Sequence, residues 1–431
     1  MRIERSKYLE ALKSRMHNGM VKVITGMRRS GKSYLLNEIF FDYLLSIGVD
    51  EGHIIKFAFD SADDLDLIGE DLLELEKEKR KIDPKKFVAF IKKKLVDEDD
   101  YYLLLDEIQN LGSFESVLNG YLRKKNIDLY VTGSNSKFLS SDVLTEFEGR
   151  GDEIHVFPFS FKEFYSSHKG SKEEAYEEYS VYGGLPPLSL MADDEQKAKY
   201  LESQLKKTYL KDIVDRYGLK GDSNIGELLA VLSSGISALT SPTKLEATFK
   251  SAKNAVISRL TITRYIDYFI DAFLLSKAIR YDVKGKRYID TPFKLYFEDI
   301  GIRNARLGFR QVEPTHIMEN IIYNELIVRG YSVDVGMVEI RKPDKDGKWI
   351  RIQLEVDFIA SLGSKKYYVQ SALSIPDREK ETQESRPLTN INDSFKKVII
   401  VKDHIMPRRN EEGILTIGLF DFLLKEDSLD L

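Results

Sequence analysis

The stretch VKVITGMRRSGKSYLLNEIF, residues 21 to 40, constrains this chain more than any other. A β-rich apolar run, VKVITG, enters a short loop with glycine at Gly26 and Gly31, and an amphipathic run follows. Gly26-Met27-Arg28-Arg29-Ser30-Gly31-Lys32-Ser33 fits the pattern G-x-x-x-x-G-K-[ST], whose backbone cradles phosphate groups. The glycines let N–H groups turn inward onto phosphate oxygens. A helix beginning near Lys32 aims the positive end of its dipole at the same point. Lys32 is expected to hold the β- and γ-phosphates of ATP, and the Ser33 hydroxyl to ligate Mg²⁺. The expected nucleotide contacts run from Gly26 through Tyr34.

Such a cradle binds a nucleotide but does not hydrolyse it; a second site must supply a metal ligand and activate water. YYLLLDEIQN, residues 101 to 110, meets that need, because an apolar strand ends there in Asp106-Glu107. Asp106 is expected to hold Mg²⁺, and Glu107 to orient or deprotonate the attacking water. LYVTGSNSKFL ends another strand in Thr132, Ser134 and Asn135. Ligand chemistry gathers at the carboxyl ends of parallel strands, so Ser134 or Asn135 is expected beside the γ-phosphate or the water. Arg150 sits between two glycines in FEGRGDEIHVFPFSFKEF. It is a candidate arginine finger acting in trans on a neighbouring subunit's nucleotide, which implies a homo-oligomer. A solvated arginine in a turn is the alternative.

Bulk properties narrow the class. A chain of 431 residues suggests roughly three domains. The net charge of -5 does not mark the whole chain as a nucleic-acid binder. No cysteine is present, which excludes disulfides and thiolate metal sites. The six histidines show no metal-type spacing. The charged N-terminus is no secretion signal, and no apolar run approaches the ~20 residues of a membrane span. A cytoplasmic protein without membrane contact is expected.

The fold class read from the pattern is α/β. Strands near 21–26, 53–59, 101–107 and 129–134 alternate with helical stretches, which predicts an ATPase-type domain with a parallel sheet over 1–165. Residues 60–80, crowded with acids, read as a solvated helix and loop. Residues 166–225 read as a helical lid or connector. Three helical segments and a hairpin turning at Lys284-Gly285-Lys286 give 226–300 the order of a winged helix-turn-helix. Residues 241–290 hold ten Lys or Arg against five Asp or Glu. Lys250, Lys253, Arg259, Arg264, Lys284, Lys286 and Arg287 fall on its second and third helices and wing, where they could neutralise DNA phosphates. Protein contacts or leverage on the ATPase are the alternative use. Residues 301–431 return to mixed α/β, with a helix ending at Gly330 and strands near 331–341, 349–359, 366–371 and 397–401.

GMRRSGKS, LLLDEIQN, VTGSNSKFLS, FEGR and FPFSFKEF, in this order and spacing, resemble the AAA-superfamily ATPases of bacteria and archaea. More narrowly, the chain is similar to the subgroup in which a winged helix and a restriction-endonuclease-like domain follow the ATPase. TPFKLYFEDIGIRNARLGF and EVDFIA…YYVQSALSI also resemble that subgroup. The resemblance implies the roles already given to Lys32, Ser33, Asp106, Glu107 and Arg150, and it implies no substrate. Nucleases of the restriction type carry a helical Glu, a strand Asp and then Glu-x-Lys, which together bind Mg²⁺ and activate water. Here Glu319 or Glu325 is the candidate helical acid and Asp357 the strand acid, but Gln370-Ser371-Ala372 stands where Glu-x-Lys is expected. A neutral Gln is a poor Mg²⁺ ligand, so the domain is expected to be catalytically degenerate. The reading is a Mg²⁺-dependent ATPase whose nucleotide state repositions the winged-helix and nuclease-like domains on DNA. The alternative is a slow nucleotide-operated signalling or scaffold switch acting on a protein partner.

Overall fold

The computed structural model describes residues 3–133, 149–219, 223–253, 257–311, 313–345 and 347–431. They divide into two compact units, Met1–Pro158 with Asp271–Phe273, and Phe159–Ile270 with Leu274–Leu431. The first unit is built on β1 (Val21–Thr25), β2 (Ile54–Ala58), β3 (Tyr101–Asp106), β4 (Ile127–Thr132) and β5 (Gly151–His155). Their order is β2-β3-β4-β1-β5, and every pairing is parallel. Both faces are covered, which is why these strands read as continuous apolar runs. Tyr101, Leu103 and Leu105 pack on one face with Phe57, Phe87 and Leu118. Tyr102 and Leu104 pack on the other with Ile24, Leu36, Phe40 and Tyr130. The acid-rich segment after β2 forms the short helices Ala62–Asp66 and Leu72–Glu78, capped by the side chains of Ser61 and Asp71.

One buried charge stitches the sheet. Lys22 of β1 is fully enclosed and donates to Asp128 of β4. The same carboxylate accepts from Tyr130 Oη at 2.8 Å and from the His17 backbone N–H at 3.0 Å. Burial holds the Lys22 ammonium below its ordinary pKa, against the pull of Asp128. This pair fixes β1 beside β4, the two strands that deliver the loop at Gly26 and the hydroxyl of Thr132.

The second unit carries an eight-stranded sheet of order β12-β13-β11-β10-β9-β8-β6-β7. Its members are β6 (Leu275–Asp282), β7 (Arg287–Phe297), β8 (Ser332–Pro343), β9 (Trp349–Leu362), β10 (Lys365–Ala372), β11 (Lys396–Val401), β12 (Arg408–Arg409) and β13 (Leu415–Gly418). Helices Asn224–Ser234, Pro242–Lys253 and Arg259–Asp271 precede β6, as the sequence order suggests. The hairpin expected as a separate wing, however, extends the C-terminal sheet, because β6 pairs in parallel with β8 at Arg280↔Val335. Pairing removes what would be an exposed strand edge. Helix Pro314–Val328 ends before Gly330, whose φ of 90° closes it. Among the described residues, no helix is long and apolar enough to cross a membrane.

Lys22→Met leaves Asp128 charged, buried and uncompensated, a loss of about 3–5 kcal/mol. Urea denaturation should show the Lys22→Met/Asp128→Asn double variant to be more stable than Lys22→Met alone.

Candidate nucleotide site and a buried charge cluster

The loop after β1 is shaped by backbone geometry that few residues tolerate. Gly26 and Gly31 adopt φ of 133° and 95°, and Arg29 lies in the left-handed region at 67°. A Cβ at residue 26 would come 2.2 Å from the Val156 carbonyl oxygen, so only glycine fits there. Helix Lys32–Tyr34 follows directly, then widens to i→i+5 turns over Leu35–Phe40, a geometry frequent beside functional sites. Met27 and Ser30 are buried, whereas Arg28, Arg29, Ser33 and Tyr34 are exposed. Lys32 is buried, and its Nζ donates to the carbonyls of Gly26 and Met27, each at 2.9 Å. The ammonium is thus drawn across the loop it is expected to serve.

Arg5 braces this loop from behind. Its buried guanidinium donates to the Ser30 carbonyl at 3.1 Å and the Phe157 carbonyl at 2.6 Å, and lies 4.5 Å from the Tyr8 ring. Nothing local in the charged N-terminal sequence singles this arginine out.

The carboxylates converge as expected. Asp106, buried at the end of β3, accepts from the hydroxyls of Thr132 and Ser33. Burial raises its pKa, those two hydrogen bonds oppose the rise, Glu107 adds to it and Lys32 counters it. The next residue turns sharply: Glu107 has φ of 53°, its N–H donates to Thr132 Oγ1 at 3.1 Å, and its carboxylate accepts from Gln109. Thr132 therefore orients both acids. Ser134 and Asn135 lie outside the described residues.

One further group is coupled to the site. The carboxyl of Asp60, just beyond β2, is raised by burial and then by Glu107 and Asp106, and is countered by Arg28. Its place at a strand's carboxyl end was the available signal; the surrounding acids masked it. Arg150 stands elsewhere. Its carbonyl accepts from the Val21 N–H at 2.9 Å, which puts it where β1 begins, whereas the loop lies where β1 ends. A five-residue strand is about 16 Å long.

In the second unit the candidate nuclease acids separate. Glu325 pairs with Arg329 at 2.8 Å, one turn along its own helix. Glu319 instead meets Lys294 Nζ at 2.8 Å, and Glu355 and Asp357 lie 2.7 Å and 3.7 Å from the same ammonium. Tyr296 Oη donates to Glu319 at 2.9 Å. The strand carrying Gln370-Ser371-Ala372 supplies no lysine, as its sequence reads, but a cation reaches these acids from β7 instead. That strand meets Asp357 through backbone, with Ser371 N–H donating at 2.8 Å, and Gln370 Oε1 accepts from the Asp357 N–H at 3.4 Å. Glu355 was legible, two residues before Asp357 and so on the same strand face. The convergence of Lys294 was not, because it is set by long-range packing. Elsewhere in the unit, Lys250, Arg259, Arg264, Lys284, Lys286 and Arg287 are exposed, and the side chain of Lys253 lies outside what is described.

Taken together, the parallel sheet, the glycine loop and the strand-end acids define an AAA-type P-loop ATPase domain. A family model described as an AAA domain matches residues 18–165, and one described as a domain of unknown function matches 173–313. The chain is 33% identical over 429 residues to an uncharacterized protein of Haemophilus influenzae, covering 98% of this chain and 99% of that one, and it belongs to the same family. A relative from Methanocaldococcus jannaschii, also an uncharacterized protein, is 26% identical over 379 residues, 84% of this chain and 77% of that protein. Among solved structures, AMPPCP-bound DnaA from Aquifex aeolicus superposes at 14% identity and a TM-score of 0.31, covering 62% of this chain and 87% of that one. The Aeropyrum pernix ORC1 protein, solved in complex with DNA, gives 12% and 0.30, with coverages of 71% and 92%.

The charge cluster carries a pH signature. Burial first, and Glu319 next, push the Asp357 carboxyl up to about 8, against Lys294 and the Ser371 N–H. Unfolded, the same carboxyl loses its proton near 3.8. The folded state thus binds the extra proton between these values, and stability falls as pH rises through that window. Asp299, raised to about 6 by burial, acts in the same direction over the lower part. Scanning calorimetry from about pH 5 to about pH 8 should show a declining midpoint, and Asp357→Asn should flatten the decline without abolishing it.

Proposed function

We propose that this chain is a Mg²⁺-dependent ATPase whose nucleotide state acts on DNA through the C-terminal unit. The observation that carries the ATPase part is the convergence of Ser33, Asp106, Thr132 and Glu107 at the carboxyl edge of the sheet beside the Lys32 loop. The donor set suits magnesium, since a hydroxyl and a carboxylate are hard oxygen ligands. Ser33 and Asp106 would hold the ion, which when bound neutralises phosphate charge. Backbone N–H groups from Gly26 to Ser33 would cradle the phosphates, and Lys32 would shift from the loop carbonyls to phosphate oxygens. Gln109 and the Thr132-anchored backbone hold the Glu107 carboxylate in one orientation, as a group that positions water must be held. Arg150, at the far edge of its own sheet, suits a role toward a neighbouring subunit rather than its own nucleotide.

The DNA part rests on the basic residues presented by the helices and hairpin of the second unit. The winged-helix and nuclease-like readings are supported by element order: three helices before the β6–β7 hairpin, then two helices, three antiparallel strands, a helix and a parallel strand. Lys294 favours a scaffold over a nuclease, because its ammonium lies among the carboxylates that a catalytic ion would need. Robust DNA cutting with Mg²⁺ or Mn²⁺ that Asp357→Ala removes would overturn the scaffold reading.

Calorimetry should show MgATP binding by the wild type, and Lys32→Ala should remove it. Glu107→Gln should bind normally and hydrolyse about 10²- to 10⁴-fold more slowly. Arg150→Ala should bind but turn over poorly, and mixing it with Lys32→Ala should restore part of the rate. A folded wild type without affinity for ATP or ADP ends the ATPase reading, and failure to complement ends the trans role alone.

A further inference from the structure

The β8–β9 hairpin overhangs the sheet that carries it. From Arg341 to Arg351 every described residue except Asp344 is exposed. The segment RKPDKDGKWIR holds five basic residues against two acids, and it contains Trp349, the single tryptophan of the chain. Asp344 and Lys348 are bonded to each other: the Asp344 N–H donates to the Lys348 carbonyl at 2.8 Å, and the Lys348 N–H to Asp344 Oδ1 at 2.9 Å. The exposed apolar ring therefore stands on a hydrogen-bonded ribbon.

The register sorts the side chains. Arg341 stands opposite Arg351, Pro343 opposite Trp349, and Ile340 opposite Ile352. Paired residues share a face and alternate along the strand. Ile340 and Leu354 therefore lie on the face that packs toward the core cluster of Val338 and Val356. Arg341, Arg351, Pro343 and Trp349 share the other face. Trp349 is 69% exposed there, beside two like charges set directly across from one another. That juxtaposition opposes folding, and Glu339, 3.6 Å from Arg351, offsets only part of it. The basic hairpin turn between β6 and β7 continues the surface: Lys284 Nζ donates to the Glu339 carbonyl at 2.8 Å, and the Val283 N–H to the Met337 carbonyl at 3.0 Å.

We propose that this ribbon face is a binding site for single-stranded nucleic acid, in which Arg341 and Arg351 contact backbone phosphates and the Trp349 indole stacks on an unpaired base. The inference rests on the nucleic-acid reading of the second unit and deepens it by naming the element and the strand form. Cross-strand arginines call for an anion at the spacing of a ribbon. A flat, exposed indole one same-face pair beyond them calls for a π-face, and single strands offer both in repeat. In a duplex the base faces are covered by their neighbours, so the indole would have no partner there.

The single tryptophan makes the test direct. Full-length protein is titrated with an oligo-dT of about 20 nucleotides and with a duplex of equal length, while Trp349 fluorescence and the anisotropy of a labelled oligonucleotide are followed. Expected are strong quenching by the single strand, little by the duplex, and an affinity about tenfold or more lower for Trp349→Ala by anisotropy. Arg341→Ala/Arg351→Ala should lower the slope of log affinity against log salt by about 1.4. Salt-sensitive binding that neither quenches Trp349 nor responds to these substitutions would overturn the ribbon site while leaving the nucleic-acid reading in place. Absence of binding to either probe would overturn both. Quenching only by an acidic peptide such as poly-glutamate would reassign the face to a protein partner and overturn the proposal.

Discussion

The carbonyl of Val156 leaves no space for a side chain at residue 26, and much of the first unit follows from that close approach. With its Cβ absent, the chain leaving β1 runs flush against the chain leaving β5, and the Val156 N–H donates to the Thr25 carbonyl at 2.8 Å. The loop must then climb away through positive φ at Arg29 and Gly31 before helix geometry begins at Lys32. Arg5 closes the same corner by holding the Ser30 and Phe157 carbonyls with one guanidinium. A rigid back wall lets the front of the loop present backbone N–H groups without collapsing, which is the requirement of an anion cradle.

The opposite wall is held by hydroxyls rather than by packing. Thr132 Oγ1 spends its proton on Asp106 and its lone pair on the Glu107 N–H. Asp106 and Glu107 would otherwise repel, and the burial that orders them also raises the cost of their charge. The threonine lets adjacent acids differ: one is buried and hydrogen-bonded by two hydroxyls, and the other is half-exposed and carried outward by a left-handed backbone. Different surroundings for two neighbouring carboxylates are how one site separates metal binding from water activation. The Lys22–Asp128 pair serves this arrangement from below, since it locks the two strands whose ends meet there.

How much of this the sequence disclosed depended on whether the chemistry was local. Gly26 to Ser33 and Asp106-Glu107 were legible because each is a contiguous string at a strand end, where spacing and geometry are the same thing. Ser33, Thr132 and Asp106 could be expected to meet once the sheet was read as parallel. Arg5 and Asp60 could not be weighed in that way, since one is separated from the loop by some 25 residues and the other was hidden in an acidic run. Strands β8 to β11 of the second unit were also legible within a few residues, whereas β12, β13 and the last third of β7 were not. Nor was the pairing: β6 and β7 look like a self-contained hairpin, and only the parallel contact with β8 joins them to the sheet.

Lys294 shows the same limit from the chemical side. Restriction-type nucleases read as a spacing because their acid and lysine share one strand, two residues apart on one face. Here that strand offers Gln370 and Ala372, yet an ammonium still lies among Glu319, Glu355 and Asp357, delivered from β7 across the sheet. Position in sequence and position in space have come apart, and the two arrangements differ in consequence. A divalent ion brings two charges, exchanges with solvent and leaves room for water among its ligands. A tethered ammonium brings one charge, cannot exchange, and uses its protons on the carboxylates themselves. One charge does not balance three acids: burial first, and Glu319 next, favour a proton on Asp357 against the pull of Lys294, so the cluster carries its own cation and its own proton.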